Sequence, residues 1–244
     1  MKLANSVVLV TGSNRGLGRA LIQAVLDAGA RRVYATGRDL ERLAPVIRLA
    51  PDRVAAVALD ITDPRSIEAA AARTGDTAVL INNAGVFTSF GVLDATPAQL
   101  AHDFATNAFG TLALTKATLP ALERAAAAPG GAAIVNVLSI VALAAKPRIA
   151  GYAASKAAAH SLTQALRGEL GPRSIAVHGV YPGLIDTDMV RELDLAKTSP
   201  ELVARAIVEG IEQGADDIFP DPVSRELAAI WARDPKALER AFAS

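Results

Sequence analysis

Seven short apolar runs rich in β-branched residues recur along the chain, and longer alanine- and leucine-rich stretches of helical period separate them. The runs are SVVLVT (6–11), RRVYATG (31–37), RVAAVALD (53–60), TAVLIN (77–82), AAIVNVL (132–138), IAVHGVY (175–181) and the short DIFP (217–220). They are apolar almost without a break, as in strands buried on both faces, and do not alternate as half-wetted strands do. Helical stretches lie near 16–29, 63–73, 97–125, 151–170, 199–213 and 222–243. Thr96-Pro97 and Ser199-Pro200 open helices, and Gly171-Pro172 closes one. Strand and helix in alternation, joined by right-handed crossovers, give a parallel sheet covered by helices on both sides. No linker, repeat or low-complexity tract divides the 244 residues, and at 51% hydrophobic they can bury one large core. The expectation is a single doubly wound α/β domain over 1–244, with about seven strands.

Several function classes drop out on composition. The 25 basic and 25 acidic side chains cancel and no basic stripe is present, so nucleic acid is not an expected partner. Without cysteine there are no disulfides and no thiolate metal sites, and His102, His160 and His178 lack ligand spacing, so no metal is expected. The first apolar run is too short for a signal peptide, and GGAAIVNVLSIVALAAK is interrupted by Asn136 and Ser139 before it could span a bilayer. A soluble, cytoplasmic chain without a membrane partner is the expectation.

Ligands of doubly wound sheets sit at the carboxyl ends of the strands, where strand order reverses. After the first run comes TGSNRGLG, with Gly12, Gly16 and Gly18 ahead of the helical ALIQAVLDAG. Glycine allows a tight turn with positive φ and lets backbone approach a pyrophosphate without a Cβ in the way. The helix that follows offers free N–H groups and its positive dipole end. Further on, YAASK places Tyr152 and Lys156 four residues apart, so phenol and ammonium share one helix face.

These motifs, in this order, resemble those of the short-chain dehydrogenase/reductase family, in its single-domain branch. Thr11-Gly12-x-x-x-Gly16-x-Gly18 is similar to the family's cofactor loop, and Asn82-Asn83-Ala84-Gly85 looks like its NNAG segment. Asn107 in NAFG, Ser139, the Tyr152/Lys156 pair and Pro182-Gly183-x-x-x-Thr187 match its later motifs, with the family's spacing from Ser139 to Tyr152. The resemblance runs over almost the whole chain and implies a Rossmann-like fold that transfers a hydride between a nicotinamide and a carbonyl or alcohol. It implies that the first loop, Gly12, Ser13, Asn14, Arg15, Gly16, Leu17 and Gly18, holds the cofactor together with Arg38. Asp60, at the adenine, and Ile61 extend that site, as do Asn83, Ala84 and Gly85 after the fourth strand. Tyr152 and Lys156, then Pro182, Gly183, Ile185 and Thr187 after the sixth strand, complete it. Of the implied catalytic set, Tyr152 is the acid/base, and Lys156 tunes it and holds the nicotinamide ribose. Ser139 bonds the substrate oxygen, and Asn107 supports a water that relays protons to the lysine.

The residue chemistry suits that task. Reducing a ketone puts negative charge on its oxygen, which calls for a proton donor and a hydrogen bond. A free tyrosine titrates near 10, and bringing it down about three units takes roughly 4 kcal/mol, which Lys156 and an oxidised nicotinamide together would supply.

Cofactor choice turns on the end of the second strand, where NAD-preferring relatives carry an acidic residue. Here Gly37 is followed by Arg38, and Arg15 adds a second cation, so NADP(H) is expected over NAD(H). Removing either arginine should weaken NADPH binding about ten- to a hundred-fold. Leu184, Met189, Val190, Leu193 and Leu195 after Pro182-Gly183, with Phe87 and Phe90 opposite, form an expected apolar wall. Such a wall favours hydrophobic ketones or aldehydes over sugars or carboxylates, with Arg148 a residue that would meet an anion. Leu138 stands before Ser139 where relatives often carry a small polar residue, which implies a drier site.

Two alternatives share the fold: a cofactor-sensing regulatory protein without redox turnover, and a dehydratase or epimerase. The complete Asn107, Ser139, Tyr152 and Lys156 set argues against the first, and the lack of a substantial substrate domain against the second. A homo-oligomer is implied, with the alanine-rich 151–170 helix as its contact. The C-terminal DIFPDPVSRELAAIWARDPKALERAF departs from the glycine-rich ending many relatives use between subunits, so a dimer is expected before a tetramer.

Overall fold

The computed structural model describes residues 1–190 and 194–243. In chain order the elements are β1 (Val7–Val10), α1 (Gly16–Asp27), β2 (Arg32–Gly37), a short α2 (Ala44–Ile47), β3 (Val54–Ala58), α3 (Pro64–Arg73) and β4 (Val79–Asn82). There follow α4 (Pro97–Phe104), α5 (Thr111–Ala126), β5 (Ala132–Val137), α6 (Ala150–Leu170) and β6 (Ile175–Val180). The chain ends with α7 (Pro200–Gln213), β7 (Asp217–Ile218), α8 (Pro222–Arg233) and α9 (Pro235–Ala243). The seven strands form one sheet in the order β3-β2-β1-β4-β5-β6-β7, and neighbouring strands pair in parallel. This is the doubly wound sheet the strand pattern implied and the Rossmann-like fold the resemblance implied.

Successive side chains of β1 go to opposite faces. Val8 and Val10 cluster with Leu21 and Val25 of α1 and Ile207 and Ile211 of α7. Val7 and Leu9 join Ile67 of α3, Leu114 and Leu122 of α5, and Leu170 of α6. Each fully buried side chain of this kind contributes about 1.5–3 kcal/mol, so the two layers grip the sheet from both sides. Strand order reverses at β1, with β2 on one side and β4 on the other, and the loops leaving those strands part to open a crevice.

Local structure departs from expectation at α2, which falls outside every expected helix, and in two longer stretches. The stretch read as one helix over 97–125 is α4, a π-helical turn over Ala105–Gly110, and α5. A Cβ at Gly110 would drive into the Ile61 carbonyl oxygen, so the turn passes the loop after β3 where only glycine fits. The stretch 222–243 is two helices, parted at Asp234, whose φ of −153 and ψ of 98 are extended. Pro235 disfavours helical geometry in the residue before it, and the Asp-Pro pair was the readable signal.

Candidate active site

The crevice is a cleft of about 1150 Å³. Its floor is laced by Thr11, whose hydroxyl oxygen accepts from the backbone N–H groups of Asn83 and Ala84, both at 2.8 Å. The Asn83 amide donates back to the Thr11 carbonyl at 2.8 Å, so the loops after β1 and β4 are tied together. Gly12 and Gly16 have φ of +65 and +52, and a Cβ on Gly12 would lie 3.0 Å from the Ala84 Cα. At Gly18 a Cβ would enter the Gly12 carbonyl. Helix α1 has no side-chain cap and no acidic residue in its first turn. By contrast, Asp63, Thr96, Ser199 and Asp221 cap α3, α4, α7 and α8. Bare N–H groups behind a glycine cradle suit the pyrophosphate of a dinucleotide.

Nearly all the residues expected at the cofactor line this cleft: Gly12, Asn14, Arg15, Gly16, Leu17 and Gly18, Arg38, Asp60 and Ile61, Asn83 to Gly85, and Pro182, Gly183, Ile185 and Thr187. Ser13 does not. It is buried, with its hydroxyl donating to the Val10 carbonyl at 2.6 Å and accepting from Thr36 N–H at 3.2 Å, so it ties the loop to β2. The Asp60 carboxylate accepts from the Thr62 hydroxyl at 2.6 Å and amide at 2.9 Å, bonds that hold it below the usual carboxylate range. Asp39 is engaged away from Arg38: it accepts from Glu41 N–H at 2.9 Å and meets Arg42 at 3.4 Å. Arg42 also lines the cleft, a third cation that reading the sequence passed over although it stands four residues beyond Arg38. Arg15 meets Asp188 at 3.0 Å.

Helix α6 brings Tyr152 and Lys156 to the cleft, and Ser139 faces it from the end of β5. The Lys156 ammonium donates to the Val137 carbonyl at 2.8 Å and lies 5.8 Å from the centre of the Tyr152 ring. Burial draws that amine down to about 8. The edge of Phe87 meets the Tyr152 ring at 5.0 Å and 72°. Burial pushes the phenol up to about 12, the Ser139 hydroxyl pulls it back, and Asp103 adds to the rise. Lys156 by itself does not lower the phenol; the expected lowering calls on Lys156 and an oxidised nicotinamide together. Desolvation dominates, and the ammonium is turned to a backbone carbonyl.

Asn107 does not line the cleft. Its side chain accepts from Val86 N–H at 2.9 Å and donates to the Val86 carbonyl at 3.0 Å and the Ser155 hydroxyl at 2.9 Å. Ser155 in turn donates to the Tyr152 carbonyl at 2.8 Å. Both amide hydrogens are committed, so this side chain clips the loop after β4 to the helix that carries Tyr152.

Of the expected apolar wall, Phe87, Leu184, Met189 and Leu195 line the cleft. Phe90 packs instead beneath Gly151, where a Cβ would come within 2.6 Å of its ring. Leu193 lies outside the described residues, as does the side chain of Val190. Val223 and Leu227 of α8 and Phe242 of α9 complete the wall, and sequence reading missed them. Their signal was the spacing of Val223 and Leu227, one helical turn apart. Asp221, the cap of α8, accepts from Gly183 N–H at 2.8 Å, so the C-terminal helices also brace the loop after β6.

His102 lines the cleft, His160 bonds the Tyr181 hydroxyl at 2.7 Å, and His178 bonds the Ala215 carbonyl at 2.6 Å. Among the described residues no cluster of His, Asp or Glu is placed to hold a metal, and no helix is long and apolar enough to cross a membrane.

Comparison with known proteins agrees with the fold. The short chain dehydrogenase family pattern matches residues 6–198. A short chain dehydrogenase from Burkholderia cenocepacia J2315, solved in complex with NADP, is 39% identical and aligns over 100% of both chains with a TM-score of 0.92. Dehydrogenase/reductase SDR family member 7B from Bos taurus is 35% identical, over 98% of this chain and 81% of its own. A 3-alpha-(or 20-beta)-hydroxysteroid dehydrogenase from Mycobacterium bovis is 32% identical, over 77% of this chain and 72% of its own.

Proposed function

This chain belongs to the short-chain dehydrogenase/reductase family, and on that premise we propose that it is an NADP(H)-dependent ketone or aldehyde reductase, or alcohol dehydrogenase, acting on hydrophobic substrates. The observation that carries the reading is the meeting of Ser139, Tyr152 and Lys156 on the wall of the cleft whose other end is the bare glycine cradle. One domain, residues 1–244, holds both cofactor and substrate.

The nicotinamide, when bound, supplies or accepts the hydride and in its oxidised form adds positive charge to the site. Gly12, Gly16, Gly18 and the start of α1 would hold the pyrophosphate, and Asp60 and Ile61 the adenine. Tyr152 gives its proton to the carbonyl oxygen in reduction and takes it back in oxidation, while Ser139 donates a hydrogen bond to the same oxygen. Lys156 titrates near 8, within the working range, and on turning from the Val137 carbonyl to the ribose it would bring the phenol the cation it needs. Asn107 holds the frame of Tyr152 through Ser155; a relay water would have to be held by some group other than its amide hydrogens.

Arg15, Arg38 and Arg42, with no carboxylate at position 37, support NADP(H) over NAD(H), as does the NADP bound by the 39% identical relative. We also propose a homodimer through the exposed small-residue stripe Ala154, Ser161 and Ala165 of α6, to be checked by sedimentation. The deciding experiment follows reduced nicotinamide absorbance across a panel of hydrophobic ketones and aldehydes. Turnover with NADPH, and a lower kcat/KM with NADH, is expected. Tight NADPH binding with no turnover on any compound would favour the cofactor-sensing alternative.

A further inference from the structure

The substrate end of the cleft carries charge that reduction of a plain ketone does not use. Among the described residues the carboxylates lining the cleft are Asp39, Asp60 and Asp188, engaged with Arg42, Thr62 and Arg15 around the cofactor loops. Lys146 and Arg148 line the same cleft from the segment between β5 and α6. Both are exposed, and neither is in an ion pair among the described residues.

Their placement is built. The Lys146 ammonium lies 5.1 Å over the ring of Phe242, which is 9% exposed and clusters with Val141 and Leu238. Such a contact is worth about 0.5–1 kcal/mol at an exposed site and keeps the cation at the lip of the apolar wall. Arg148 sits in the turn Pro147–Ile149 that leads into α6, and the next residue, Ile149, packs in the same cluster as Tyr152. Two cations two residues apart, in no ion pair among the described residues though the Asp94 carboxylate lies near Pro147, form a site for an anion beside a wall of Phe87, Leu227 and Phe242.

We propose that this lip is a binding subsite for an anionic group, so that the substrate is a carbonyl compound with an apolar body and a remote carboxylate met by Lys146 and Arg148. The inference rests on the carbonyl-reductase reading above; it keeps the apolar body of the substrate and reverses the expected preference against carboxylates. A guanidinium fork can take both oxygens of a carboxylate, and the ammonium adds a point charge. At this exposure each contact is modest and screened by salt.

The test compares medium-chain keto acids with their methyl esters, which share the reacting carbonyl, in wild type, Lys146→Gln, Arg148→Gln and the double variant. The readout is the ratio of kcat/KM for acid over ester. Wild type should favour the acid through KM, and each substitution should lower the ratio about two- to five-fold. Raising the ionic strength to about 0.5 M should remove most of the preference. A wild-type ratio at or below unity that the variants leave unmoved overturns the subsite while leaving the reductase reading intact. If neither acid nor ester turns over, the reductase reading is decided separately by the panel of hydrophobic ketones and aldehydes. Calorimetric binding of a saturated medium-chain carboxylate against its amide then tests the lip by itself: tighter acid binding, lost in the double variant, supports it, and equal binding overturns it.

Discussion

At the catalytic end of the cleft the polar atoms are buried and committed. Lys156 is 5% exposed with its ammonium on the Val137 carbonyl, and Asn107 is 2% exposed with its amide divided between Val86 and Ser155. At the far end the cations stand in water: the side chains of Arg15 and Arg42 are 66% and 72% exposed, and their carboxylate partners are exposed as well. Charge acts strongly in the first setting, where there is little water to screen it, and weakly in the second. Reactivity is therefore set where the protein excludes water, and cofactor choice is set where long side chains gather in it. Substitutions at the two ends should differ in size, in pH response and in salt response.

The largest effect belongs to Tyr152→Phe. It removes the proton donor and little surface, so kcat should fall about 10²- to 10⁴-fold while NADPH affinity, read by fluorescence titration, stays near wild type. If more than roughly a tenth of kcat remained with chemistry rate-limiting, the buried end would not be the acid/base.

Lys156→Met probes the same end through stability. Burial lowers the amine from 10.5 to about 8, which corresponds to roughly 3 kcal/mol against the charged form. Between about pH 8 and 10.4 this lysine holds more protons in the unfolded chain than in the folded one, so its contribution to wild-type stability should rise with pH across that window. The methionine variant should lack that rise and lose turnover. Leaving the Val137 carbonyl unpaired costs about 1–3 kcal/mol, so the slope with pH, not the absolute stability, is the readout. Denaturant unfolding of both proteins at either side of the window measures it. Equal slopes in the two proteins would show that the amine is not desolvated.

The exposed end should respond less. Arg38→Ala should weaken NADPH binding about tenfold, the lower end of what a bond to a charged group implies, and Arg15→Ala only a few-fold, because Arg15 must first part from Asp188. NADH binding should hardly change, and the NADPH effects should shrink as salt rises. Equal losses for both cofactors would mean that the arginines support the loop and do not read a phosphate.

What could be read from the sequence follows the same division between local and distant. Gly12, Gly16 and Gly18 sit in one turn, and Tyr152 and Lys156 on one helix face, so each group was readable as a unit, and the order of the motifs along the chain assigned both to one site. Ser13 lies in the same turn, yet it faces inward because Val10 and Thr36 claim its hydroxyl. Asn107 depends on partners 21 and 48 residues away, which no periodicity reveals. The wall from α8 and α9 was hidden for a similar reason, since Phe242 meets Val141 only after the chain has closed on itself.

The smallest effect isolates the comparison, because the same chemical change can be made at each end. Asp103 in α4 is fully buried; one carboxylate oxygen accepts from the Thr88 hydroxyl and the other, Oδ1, has no partner. Its charge helps to hold the Tyr152 phenol high, alongside burial and against the Ser139 hydroxyl. Asp103→Asn keeps an oxygen for Thr88 and removes the charge, so the phenol should give up its proton more easily. Reduction slows as the phenol deprotonates and oxidation speeds up, so both pH profiles of kcat/KM should move to lower pH. Asp39→Asn deletes the same charge at the exposed end, where Arg42 simply exchanges a partner for water. NADPH affinity there should change by less than about twofold. If the Asp103→Asn profiles stayed in place or moved to higher pH in a variant that melts like wild type, Tyr152 would not be sensing that carboxylate. The contrast between a buried end ruled by single charges and an exposed end that averages them would then fail.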